Sequence, residues 1–213
     1  MGTPGAYLLA LSYPVGVMGV TVGLTAIFGA IHVPVLPAPK IAFAMLQMVV
    51  VTFCLALMTE EGFFRGWLWG MLERAGRGRA SVLLITSSAF CIWHLAIHLV
   101  MPRGGLSLPG LPAYLGNIFL LGINLGQLRM VSSSILAPAL GHALWNALQY
   151  ILFGFAAQTG VLSLSSTGLW DPERGLSGLF LNGLFAWAVW VRWGRTGGFS
   201  RQHQQPLPRA GAC

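Results

Sequence analysis

The stretch IAFAMLQMVVVTFCLALM (Ile41–Met58) runs without a break into TEEGFFRGWLWG (Thr59–Gly70). The first part is apolar enough and long enough to enter a bilayer. The second part then places two adjacent carboxylates, Glu60 and Glu61, and a guanidinium, Arg65, at its end. Those carboxylates are two of only five acidic residues in the chain. A charged side chain at mid-bilayer costs about 2.5–3.5 kcal/mol or more, so an ionisable group inside a span marks a functional site by default.

The surroundings support a membrane reading. Of 213 residues, 55% are hydrophobic and 8% charged, with a mean hydropathy of +0.72. A soluble domain carries about 25% charged residues. The expected fold is all-α: a polytopic transmembrane helical bundle of about six spans, near 6–31, 41–70, 81–101, 112–130, 133–154 and 176–193. Residues 1–193 are expected to form a single domain with a core at about 41–155. The Gly-, Pro- and Gln-rich residues 194–213 are expected to be a disordered tail. Pro14 and Pro138 fall within spans, and abundant glycines allow close helix approach.

The net charge of +7 does not indicate nucleic acid, because the basic residues are scattered near segment ends. The segment ERAGRGRA (Glu73–Ala80) carries Arg74, Arg77 and Arg79 and is the strongest positive-inside signal. It places that loop and both termini in the cytoplasm. Arg195, Arg201 and Arg209 agree, against Lys40, Arg103 and Arg174 on the other side. With no targeting presequence, a prokaryotic plasma membrane is expected. Cys54, Cys91 and Cys213 have no framework spacing, so no disulfide is expected.

Glu61 and Arg65 are four apart and share a helix face. Pairing neutralises both, as burial requires. Glu60 points about 100° away on an α-helix, and an unpaired Glu in an apolar cavity suits acid–base work. His142 and Asn146, in GHALWNALQY, are also four apart, and His94 lies mid-span in FCIWHLAIHL. Counted at about 1.5 Å per residue from the cytoplasmic loops, Glu60, His94 and His142 all lie roughly 16–21 Å deep. Three helices therefore bring polar groups to one level. Each has a plainer reading: the histidine as a packing element, Asn146 as helix–helix glue, Glu61–Arg65 as an ordinary pair. His98 reads as interfacial beside Pro102, although His94 and His98 have the i, i+4 spacing of a zinc pair. The eight tryptophans read as belt or packing residues, and Asn117, Asn124 and Gln127 as a structural stripe.

Taken together, EEGFFRG, FCIWH (Phe90, His94) and HALWN (His142, Asn146) match the patterns E-E-x-x-x-R, F-x-x-x-H and H-x-x-x-N, in order and on separate spans. The chain resembles the CAAX-processing and bacteriocin-processing (CPBP, or Abi) family of intramembrane endopeptidases, of the Ras-converting-enzyme type, over about residues 41–155. The resemblance implies hydrolysis of a peptide bond in a membrane-associated or C-terminally anchored protein. It implies that Glu60 and His94 hold and activate water, that Glu61 and Arg65 support them, and that His142 and Asn146 stabilise the oxyanion. The family is described both as glutamic and as metal-dependent. No cofactor is required by the sequence, and if a divalent metal such as zinc is used, Glu60, His94 and His142 are its ligands. The expected partners are lipid and a protein or peptide substrate. The rival readings of the same cluster are a non-catalytic membrane binding or immunity protein and a proton-coupled transporter. No Gly-x-Ser-x-Gly and no His-Glu-x-x-His occurs, which disfavours serine hydrolase and zincin chemistry.

Overall fold

The computed structural model describes residues 2–33, 38–100, 108–155 and 158–194. The tail expected beyond Gly194, and Pro102 and Arg103, lie outside the described residues. The chain folds as a helical bundle: α1 (Pro4–Ile27), α2 (Ala38–Leu55), a π-helical stretch (Ala56–Leu68) running into α3 (Trp69–Arg74), α4 (Arg79–Val100), α5 (Leu111–Ser132), α6 (Leu136–Leu148), α7 (Thr167–Trp170) and α8 (Leu176–Val189). Among the described residues, strands are confined to two-residue pairs: Ile31–His32 lies antiparallel to Ser163–Leu164, and Gly154–Phe155 to Gln158–Thr159.

Among the described residues, four helices are long and apolar enough to cross a membrane: Pro4–Ile27, Pro39–Arg74, Arg79–Val100 and Leu111–Ser132. The other two expected spans, 133–154 and 176–193, are helical over 136–153 and 176–194. α6 has 13 residues and α8 has 14, each extended by a five-residue π-turn, Gln149–Phe153 and Trp190–Gly194. α6 with its π-turn is buried on most sides, against α1, α2 and α5. Pro138 falls in the first turn of α6, where a missing N–H breaks no helical bond.

Packing order follows from burial. α5 contacts α4, α6 and α8, and α6 contacts α1 and α2. The apolar window of α5 is 56% buried and that of α2 only 11%, so α5 is central and α2 peripheral. Phe43, Leu46, Val50 and Met58 of the peripheral helix are exposed, as are Ile92 and Trp93 of α4 and Phe180, Leu184 and Trp187 of α8. An apolar surface of this extent belongs against lipid.

Small residues set the close approaches. A Cβ at Gly122 of α5 would meet Ser87 of α4 at 3.1 Å, and one at Gly141 of α6 would meet the Ala10 carbonyl of α1 at 3.1 Å. α5 is tied to α8 by side-chain amides: Asn124 donates to the Asn182 carbonyl at 3.2 Å and Gln127 to the Ala186 carbonyl at 2.9 Å. This matches the structural part expected of that stripe. Across the α2–α6 contact, Thr52 Oγ1 donates to the Ala143 carbonyl at 3.1 Å. Gly76, at φ +73°, closes the turn between α3 and α4.

The helix that carries the acids is not α-wound at that point. From Ala56 to Leu68 it opens to i→i+5 bonding, a geometry found mostly at functional sites. Gly62 permits this, since a Cβ there would stand 2.7 Å from the carbonyl oxygen of Leu57, five residues back. Gly62→Ala should therefore destabilise the protein by about 1–3 kcal/mol. Gly23→Ala, in open space on α1, should not. Thermal unfolding of both variants in detergent checks this contrast.

Candidate active site

The motifs on the π-helical stretch, α4 and α6 meet at one buried point. Glu61 and Arg65 are fully buried and paired, with Arg65 Nη1 donating to Glu61 Oε1 at 3.1 Å. Arg65 Nη2 donates to the Gly122 carbonyl of α5 at 3.0 Å, and Arg129 Nε donates to the Arg65 carbonyl at 3.2 Å. Its guanidinium carbon stands 4.4 Å from the Phe90 ring centroid, within cation–π range.

The same Glu61 Oε1 accepts from His142 Nδ1 at 2.9 Å. A carboxylate can only accept here, so this bond places the Nδ1 proton and leaves Nε2 facing away from Glu61. His94 is fixed in the same sense. Its Nδ1 lies 2.9 Å from the Phe90 carbonyl, which also can only accept, so in the neutral ring Nε2 carries the lone pair.

Both Nε2 atoms point at Glu60. His94 Nε2 is 3.8 Å and His142 Nε2 3.9 Å from Glu60 Oε2. These gaps are too wide for direct hydrogen bonds and fit one bridging water. Glu60 Oε2 is a buried oxygen without a hydrogen-bond partner among the described residues. Yet the Glu60 and His94 side chains retain 24% and 18% exposure, so the point where they meet is reachable. Two imidazole nitrogens thus lie within 4 Å of one unpartnered carboxylate oxygen.

Phe90, the first residue of the F-x-x-x-H pattern, is the platform of this site. Its ring lies 4.4 Å from the His94 ring, 5.8 Å from His142 and 5.4 Å from Phe64, and the residue is fully buried. Asn146 is half-buried, one turn past His142, and its amide makes no side-chain hydrogen bond to a described residue. His98 is set apart; it packs on Tyr114, with ring centroids 6.2 Å apart.

Of the six residues singled out by sequence, Glu60, Glu61, Arg65, His94 and His142 form one contiguous cluster, and Asn146 shares the helix face of His142. The structure brings His142 as close to Glu60 as His94 is. Glu, His and His are the donor types of a catalytic zinc site. Their separations, however, exceed the roughly 3.3 Å expected across a tetrahedral shell with metal–ligand bonds of about 2.0 Å. Among the described residues no three His, Cys, Asp or Glu side chains stand at metal-site spacing. The residues as placed fit a water and not a metal.

A second polar knot was not legible beforehand. Asp171 is fully buried and accepts from the Glu173 and Arg174 amides, both at 2.9 Å, and from the Arg174 guanidinium at 2.6 Å. Gln149 Nε2 donates to it at 3.2 Å, and Trp145 Nε1 donates to Glu173 Oε2 at 3.3 Å. The available signal was the clustering of two more of the five acids in WDPERG (Trp170–Gly175). Burial, and then the neighbouring Asp171 carboxylate, push the Glu173 carboxyl up to about 7.

The site is a buried carboxylate–imidazole cluster, partly exposed at Glu60 and His94, inside a helical membrane bundle. The family model for type II CAAX prenyl endopeptidase Rce1-like proteins matches residues 42–148, half of the chain, and the protein belongs to that family. No curated protein and no solved structure matches it.

Two outcomes follow from the geometry. Glu61→Ala leaves Arg65 buried and unpaired and should cost about 3–5 kcal/mol, whereas the near-isosteric Glu60→Gln should leave stability close to wild type. Denaturation of both variants in detergent measures the difference. The raised Glu173 carboxyl predicts a pH effect of definite sign. Below about 4.5 the acid is protonated folded and unfolded alike. From there to about 7 the native state keeps a proton that the unfolded chain sheds, so stability falls as pH rises through that window. Glu173→Gln lacks this titration, so its melting temperature should gain on wild type between pH 5 and pH 8.

Proposed function

We propose that the protein is an intramembrane endopeptidase that hydrolyses a peptide bond near the C-terminus of a prenylated, membrane-anchored protein, with Glu60 as the base that activates water. One catalytic helical domain carries the reaction. The observation behind this reading is the unpartnered Glu60 Oε2 between two imidazole Nε2 atoms. The prenylated substrate class is drawn from the family's description.

The reaction follows from the placement of the donors. Water held by Glu60 Oε2 and His94 Nε2 gives a proton to Glu60 as its oxygen attacks the scissile carbonyl. The carbonyl oxygen becomes an oxyanion. Asn146, with a free amide, and His142, with its Nε2 in protonated form, are the donors on the α6 side. As the tetrahedral intermediate collapses, the proton on Glu60 passes to the departing amine. Glu61 takes no proton in this scheme: its Oε1 is held by Arg65 and His142, and its side chain is sealed where that of Glu60 is partly exposed. Its work is to hold the His142 imidazole in orientation, as a buried carboxylate does behind a catalytic histidine.

The same reading places the Arg74, Arg77 and Arg79 loop in the cytoplasm of a prokaryotic plasma membrane. Glu60 lies between that loop and the opposite face, and it is less buried than Glu61, so substrate reaches the Glu60 side of the cluster.

The test is cleavage of a fluorogenic peptide bearing a prenylated cysteine and three further residues, by purified protein in detergent. Glu60→Gln and His94→Ala should abolish turnover, while Asn146→Ala should lower kcat about 10²–10³-fold with KM little changed. Wild-type turnover in Glu60→Gln overturns Glu60 as the base, and a wild-type protein inert toward the peptide favours a binding protein. Chelators should leave the rate unchanged; loss on chelation with recovery on one divalent metal would transfer water activation to a metal.

A further inference from the structure

The helix face that carries His142 and Asn146 continues to Trp145 and Gln149, the i, i+3, i+4, i+7 spacing of one stripe. The segment between α7 and α8, beyond the matched residues 42–148, grips two members of that stripe. Glu173 Oε2 accepts the Trp145 indole N–H at 3.3 Å, and Asp171 accepts from Gln149 at 3.2 Å. Trp145 has little other freedom: it is 1% exposed, and its ring stacks on Tyr13 with centroids 5.4 Å apart. Tyr13 is in turn locked by donating to Asn182 Oδ1 at 2.6 Å.

The gripping segment is itself rigidly seated. Asn117 Nδ2 of α5 donates to the Gly175 carbonyl at 2.9 Å. Gly178 of α8 leaves room for the Pro172 carbonyl, which a Cβ would strike. Asp171 is saturated by two backbone amides, Gln149 and Arg174. Glu173 differs, because its other oxygen makes no hydrogen bond to a described side chain and the carboxylate turns one lone pair to the indole alone. A folded platform reaching across from α5 and α8 thus ends on one acceptor, placed against the residue that precedes Asn146.

We propose that Glu173 is a positioning residue of the active site, acting through the Trp145 indole to set the rotation of α6 and hence the aim of Asn146 and His142. This rests on the endopeptidase reading above. The role belongs to the acceptor oxygen and not to the charge. Glutamine retains an acceptor at that point, and alanine does not.

The test uses the full chain and the same prenylated fluorogenic peptide, with rates normalised to folded protein. Glu173→Ala should lower kcat about 10–100-fold with KM within about twofold, the pattern of a misaimed transition-state contact. Glu173→Gln should restore kcat to within about threefold of wild type, since the hydrogen bond survives. Trp145→Phe, which keeps the ring and removes the donor, should match Glu173→Ala. Combining the two should add nothing further, because both break one bond. If Glu173→Ala does not fold, Trp145→Phe and Glu173→Gln carry the comparison alone. Wild-type kcat in Glu173→Ala or Trp145→Phe, a glutamine variant as impaired as alanine, or additive losses would overturn the inference. If that happens while Glu60→Gln is inert, only the positioning role falls. A wild-type protein inert toward the peptide removes the endopeptidase reading and this inference together.

Discussion

The structure depends on keeping one guanidinium out of both water and lipid. Arg65 is wholly buried in a protein whose outer surface is largely apolar. A buried ion survives only with close partners on several sides. Arg65 finds them on three elements: Glu61 on its own helix, the Gly122 carbonyl on α5 and the Phe90 ring on α4. Through Glu61 it also reaches His142 on α6. The helices are thus registered against one another by a charge that none of them can leave unmet. Exposed apolar faces cannot supply that registry, because contact with lipid is nearly as favourable as contact with another helix.

This constraint explains why two adjacent glutamates do different work. The winding between Ala56 and Leu68 places Glu61 inward, among Arg65 and His142, and leaves Glu60 facing the partly open space between the imidazoles. Glu61 Oε1 accepts from a guanidinium and an imidazole and the side chain is sealed, whereas Glu60 accepts from no described donor and keeps 24% of its side-chain surface. Gly62 then has a reason to be glycine, since the wide turn brings the Leu57 carbonyl into the space of its Cβ.

Much of the fold was legible because the solvent is so selective. Long apolar segments between Arg-bearing turns can only be membrane helices, and α1, the 36-residue second helix, α4 and α5 follow that rule. The last two expected segments are helical as well, over 136–153 and 176–194; the first is mostly buried in the bundle, the second exposes Phe180, Leu184 and Trp187, and hydrophobicity alone does not tell these cases apart. The acid, arginine and histidine positions were legible for the same reason that makes them costly. Three things were not. The π-winding depends on carbonyl geometry that composition does not encode. The part played by Phe90 arises from its position between three helices. The Asp171–Arg174 segment lies at the end of a helix, where charged residues are common and draw no notice, and only its contact with α6 distinguishes it.

The distribution of exposure across the cluster carries the last step. Glu61, Arg65 and His142 are sealed, whereas Glu60 and His94 keep a fifth or so of their surface and Asn146 keeps an open amide. Electrostatic interactions strengthen as water is excluded, so the groups that must hold their geometry sit where those interactions are strongest. The two groups that hold water in the proposed reaction, Glu60 and His94, are the ones left partly exposed. Opening all of the cluster would cost Arg65 the low-dielectric setting that holds the four helices in register. The boundary between the two regions runs between residues 60 and 61, so one peptide unit of a loosened helix separates the wet half of the site from the dry half.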